Sequence, residues 1–91
     1  MGAEYVIQIA NNAYVNTETF RIKYVNVTAS ADSCAITLRN SAGNPFFQAE
    51  SSVSNKRFFF GNLGGQKVVG ISVGTWEDIE SVLVGVEKVD T

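Results

Sequence analysis

The residues best equipped for chemistry in this chain are the carboxylates around its single tryptophan: Glu77, Asp78 and Glu80 beside Trp76. Paired carboxylates bind calcium through oxygen ligands, or act as acid and base on glycosidic bonds. Acidic residues at that density more commonly form a solvated turn, so neither a catalytic nor a metal site is expected there. Trp76 offers a flat apolar face on which a sugar ring could stack. A tryptophan that plugs the end of a β-sandwich is the simpler use of the same ring. The chain contains no histidine, which removes Ser-His and Cys-His nucleophile pairs, the commonest base near neutral pH and most zinc-site designs. Cys34, the one cysteine, shares an alternating face with Ile36 and Leu38 and reads as a buried, inert thiol. Gly61-Asn62-Leu63-Gly64-Gly65 is glycine-rich but lacks the lysine and following helix of a phosphate cradle. It reads as a turn, and no cofactor is expected.

Arg21 and Lys23 alternate with Phe20, Ile22 and Tyr24, and Lys56-Arg57 precede three phenylalanines. Basic residues beside aromatics suit single-stranded nucleic acid, yet acids outnumber bases by nine to seven and the net charge is -2. Nucleic acid and membrane partners are not expected, and protection of edge strands is the preferred account of those charges. Asn26-Val27-Thr28 fits a glycosylation acceptor and is read as a coincidence within a strand. Neither a basic-then-apolar leader nor a long apolar run is present, so no secretory signal or membrane span is expected. Val6 stands where a myristoylation signal after Gly2 needs Ser or Thr.

Stepping along the chain, extended segments alternate with turn chemistry. Tyr5, Ile7 and Ile9 alternate in a first strand that Asn11-Asn12 breaks, and Tyr14-Val15 form a brief second piece. From Thr19 to Thr28 the apolar phase slips by one residue between Tyr24 and Val25, as a β-bulge or a strand crossing between sheets would require. Cys34 to Arg39 is a strand, and Asn40 to Pro45 is the strongest loop signal. Further strands are expected over Phe46 to Ala49, Lys56 to Phe60, Gln66 to Val73 and Ile79 to Val89, with a turn opening at Gly74-Thr75. Thr75 could cap one helical turn through Asp78. The 91 residues thus form one all-β domain, 1–91: a two-sheet antiparallel β-sandwich, compact and jelly-roll-like, of seven or eight short strands. An immunoglobulin layout is disfavoured because its paired cysteines around a tryptophan are missing.

Phe58, Phe59 and Phe60 stand side by side, and a strand sends successive side chains to opposite faces. At least one ring must therefore leave the core, and Phe46-Phe47, Val68-Val69 and Val82-Leu83-Val84 repeat the problem. A chain of this size buries only about two thirds of the surface it exposes when unfolded, so a partner covering the second face would add to a thin stability margin. The expectation is a non-enzymatic structural or assembly module, a homo-oligomer subunit or a protein docking on a larger shell. Phe46, Phe47, Phe58, Phe59 and Phe60 are the interface candidates. In its short strands, its Asn40-Ser41-Ala42-Gly43-Asn44 turn and its valine-rich C-terminal pairing, the chain resembles small jelly-roll proteins that decorate or cement virus and phage capsids. The resemblance implies a virion location and carries no functional residue over. The alternative is a carbohydrate-binding sandwich in which Trp76, with Tyr14 or Tyr24, stacks on sugar.

Overall fold

Period-two alternation of branched and aromatic residues builds six strands within residues 3–31, 33–51 and 58–89, which the computed structural model describes. They are β1 (Glu4–Ile9), β2 (Val15–Ala29), β3 (Cys34–Arg39), β4 (Pro45–Ser51), β5 (Phe58–Glu77) and β6 (Ile79–Lys88). The described residues contain no helix. All pairings are antiparallel and join the strands as one sheet in the order β1-β6-β2-β5-β3-β4.

The all-β antiparallel architecture is as expected, but the strands are fewer and longer. Tyr14-Val15 is not a separate piece: Val15 opens the 15-residue β2. Gly61 to Gly65 and Gly74-Thr75 do not end strands either, because the 20-residue β5 runs through both. Lys23 on β2 is faced by Leu63, Gly64 and Gly65, and Thr37 on β3 is faced by Gly74 and Thr75. Extra residues of this kind bend a strand while the ladder continues on either side. Gly64 and Gly65 take φ of 62° and 87°, values at which a side chain is strained, and the Asn62 side chain accepts the Gly64 amide at 2.9 Å. Extended, 20 residues would span about 65 Å, whereas the longest dimension is 43 Å, so β5 must curve. One part of β5 pairs with β2 and its last part, from Ser72, with β3. That continuity is why hydrogen bonds produce one sheet where two were expected.

The slip in the β2 pattern is realised at Lys23, where the register shifts against both β5 and β6. Phe20 and Ile22 before it, and Val25, Val27 and Ala29 after it, all point into one core. Tyr24 is thereby turned to the opposite, outer face. The core also takes Ile7 and Ile9 from β1, Ile36 and Leu38 from β3, Val68 and Ile71 from β5, and Val82, Val84 and Val86 from β6. Phe47 on the terminal strand β4 lies so close to Gly61 of β5 that a methyl group there would sit 2.6 Å from its ring. The far end of the sheet therefore closes over the core. Lysine and arginine do not protect edges as expected: Arg21 and Lys23 lie on β2, which is flanked by β6 and β5. Lys56 and Arg57 fall outside the described residues.

No helical turn forms at Thr75 to Asp78. Thr75, Trp76 and Glu77 complete β5, and Asp78 is a sharp corner with φ of 53° before β6 begins. Its carbonyl accepts the Ser30 amide at 2.8 Å. Long-range pairing of Trp76 with Ile36 and Glu77 with Ala35 outweighs the local capping pattern. Because an aspartate is strained at this φ and glycine is not, Asp78→Gly is expected to raise stability by up to about 1 kcal/mol. Urea unfolding checks it, and a loss of stability would show that the Asp78 side chain contributes more than its backbone costs.

Candidate functional site

The residues with chemical potential do not converge. Glu77, Asp78 and Glu80 are all exposed around the β5–β6 corner. Among the described residues no group of three or more His, Cys, Asp or Glu is placed to hold a metal. Trp76 is partly buried and packs against the core, across from Ile36, in the manner of a plug. Tyr14 also packs on the core, while Tyr24 lies on the outer face, so these rings do not form one stacking platform. Cys34 is a buried thiol. A hollow of about 410 Å³ over β3 and β4 is lined by Thr37, Gln48, Glu50 and Thr75 among others. It brings one carboxylate to hydroxyl and amide groups, without a nucleophile and base in partnership.

The five interface candidates are separated by the fold. Phe46, Phe47 and Phe59 are partly buried against the core. Phe58 and Phe60 point outward and are 69% and 67% exposed, which is the out-in-out alternation required by three adjacent rings on a strand. Sequence reasoning named both among five candidates without separating them from Phe46, Phe47 and Phe59. It missed the residues that the strand order gathers beside them.

Those residues form cross-strand rows on the outer face of β1, β6, β2 and β5. One row is Gln8, Leu83, Asn26 and Phe60; the next is Val6, Gly85, Tyr24 and Asn62. Phe58 extends the surface opposite Thr28. Val6 and Leu83 are exposed along with the two phenylalanines. Tyr24 stacks on Phe60 with ring centroids 5.7 Å apart and planes 19° from parallel, and it leans over Gly85 so closely that no methyl group would fit there. A hollow of about 310 Å³ opens beside the Tyr24 ring, lined by Glu4, Val6, Lys23 and Tyr24 among others. The result is a contiguous aromatic and aliphatic strip.

A charged row borders that strip. Glu4, Glu87, Arg21 and Lys67 are successive cross-strand partners on β1, β6, β2 and β5, so acids occupy one half of the row and bases the other. Lys23 reaches both acids, at 3.8 Å from Glu4 and 3.4 Å from Glu87. On the opposite face Tyr5 meets Phe20 edge to face, with centroids 6.3 Å apart. Burial, reinforced by Glu18, pushes the Tyr5 hydroxyl above its ordinary ionisation range.

No protein-family model matches this chain, and no curated protein sequence matches it.

Proposed function

We propose that the protein is a non-enzymatic assembly module that docks on another protein surface through the outer face of β1, β6, β2 and β5. The carrying observation is the pair Phe58 and Phe60, held outward at 69% and 67% exposure beside Tyr24, Leu83 and Val6. Removing one such side chain from water is worth about 1.5–3 kcal/mol, and aromatic anchors dominate protein interfaces. Contiguous apolar surface of this kind marks interaction sites. The finer shape in this reading is a two-layer sandwich, with β5 passing from one layer to the other at its bends. The closing of Phe47 over Gly61 supports it. The expected kinship with capsid-decorating jelly rolls is the finer form of the function, supported by the small all-β domain and by a face that needs a cover.

Sedimentation equilibrium tests the docking face. The wild type is expected to exceed its 9.8 kDa monomer mass at micromolar to millimolar concentration. The Phe58→Ser/Phe60→Ser variant is expected to stay monomeric, with an association constant lower by about 100-fold or more and an unchanged core by circular dichroism. A wild type that is monomeric throughout and does not bind the apolar dye ANS would refute the reading.

A further inference from the structure

The order of charges in the row Glu4, Glu87, Arg21 and Lys67 selects a particular occupant for this face. We propose that it is a second copy of this chain, packed face to face about a two-fold axis that runs along the strands, midway between β6 and β2. This inference rests on the outer-face reading and adds the partner and its geometry.

A two-fold axis in the plane of a face-to-face contact preserves position along the axis and reverses position across it. With the axis along the strands, each cross-strand row lies over its own copy in reverse order. Glu4 then faces Lys67 of the second copy, and Glu87 faces its Arg21, so the acid half of the row meets the basic half. Each contact occurs twice, as isologous pairing requires. An axis across the strands would instead bring this row over the apolar end of the strip and leave its charges unmatched. Charge order therefore distinguishes between the two orientations.

In the same operation the two Tyr24 rings, each leaning over its own Gly85, meet at the axis, with the hollow between Val6 and Tyr24 beside them. The row with Leu83 and Phe60 covers its own counterpart in reverse, so Phe60 lies over Gln8 and Leu83 over Asn26 of the second copy, while the charged row seals one border. Electrostatic complementarity of this kind fixes register more than it adds affinity.

Charge exchange between Glu4 and Lys67 tests the geometry. Both are exposed, and the ion pair Glu4 makes with Lys23 is a surface contact of little structural weight. Glu4→Lys places lysine against lysine at both symmetric contacts, and Lys67→Glu places glutamate against glutamate. Each single variant is expected to dimerise about tenfold more weakly than wild type at low salt, with less difference at 1 M salt. The double variant Glu4→Lys/Lys67→Glu restores opposite charges and is expected to recover wild-type affinity. An equimolar mixture of the two single variants is expected to form heterodimers in preference to either homodimer, read by native mass spectrometry. Thermal melts confirm that each variant is folded. A wild type that forms no dimer overturns the proposal, as do single variants that associate like wild type or a double variant that fails to recover. If Phe58→Ser/Phe60→Ser still disperses an assembly that ignores these charge exchanges, the outer face stands and only the two-fold geometry fails. If neither set of changes matters, the outer face falls with it.

Discussion

Phe20→Ala is expected to lower the unfolding free energy by about 3–5 kcal/mol, the range found when a buried aromatic side chain is cut back in a packed core. Phe20 has no exposed surface and stands first among the largest fully buried side chains. It sits where strands from different parts of the chain meet: its cross-strand partner on β5 is Val68, and the Tyr5 ring on β1 touches it edge-on. Nothing nearby is well placed to refill the space, because Ile22, Val68 and Val86 belong to central ladders whose backbones cannot shift alone. A domain of this length has a melting temperature that moves by about 4–8 °C per kcal/mol, so a fall of about 12–40 °C is expected by calorimetry. A fall of only a few degrees would show that the core closes over the vacancy.

That site also shows how much of the fold the sequence carries. The alternation of Phe20 and Ile22, the slip that follows, and the renewed alternation of Val25 and Val27 specify a strand with a bulge, because only a local change of register keeps both halves facing one core. The slip was legible; its position at Lys23, rather than between Tyr24 and Val25, was not. Hydrogen bonding to β5 and β6 decides which residue is extruded. Cys34 to Arg39 was equally legible, since Cys34, Ile36 and Leu38 alternate without interruption between turn residues.

The continuity of β5 was hidden for a physical reason. Asn62, Gly64 and Gly65 have the same chemistry whether they reverse the chain or bulge it, because both need positive φ and a side chain that accepts a nearby amide. Pairing with β2 on both sides decides between them, and that pairing is a long-range fact. Thr75 to Asp78 was misread in the opposite sense. Its capping pattern is real, but one helical turn gains less than the ladder to Ala35 and Ile36.

The exposed outer face was half legible for a related reason. Three adjacent phenylalanines force at least one ring outward whatever the strand order, but that Phe58 and Phe60 rather than Phe59 take the outer face is set by the pairing with β2. Glu4, Arg21, Lys67 and Glu87 are scattered along 84 positions of the chain. Only the order β1-β6-β2-β5 sets them in one row. Arg21 facing Lys67 is unfavourable within a single copy, since like charges opposite each other in a ladder destabilise it, and Glu87 on the other flank of Arg21 offsets part of that cost. A second copy in the proposed orientation offsets more of it, by placing Glu4 over Lys67.

Gly70→Ala should cost about 3 kcal/mol or more, well above the same change at Gly64. The two glycines share a left-handed backbone, with φ of 82° and 62°, so both substitutions carry the conformational strain of about 1–2 kcal/mol that an L-residue meets there. They differ in what surrounds them. At Gly64 a methyl group would enter open space. At Gly70 it would lie 2.8 Å from the Ser41 Cβ, 3.1 Å from the Ser41 amide nitrogen and 3.3 Å from the Asn16 carbonyl oxygen. Two of those three atoms are backbone, and Ser41 is tied to β5 by its amide, which donates to the Val69 carbonyl at 2.8 Å. Relief would require moving the Asn40–Asn44 turn, itself held by the Asn40 side chain accepting the Ala42 and Asn44 amides at 3.0 Å each. Overpacking against anchored backbone therefore adds to the strain, typically by about 1–3 kcal/mol. Chemical denaturation of the two variants side by side isolates this packing contribution as their difference. Equal losses would mean that the turn yields freely, and that the close approach of Ser41 to β5 does not constrain the sheet.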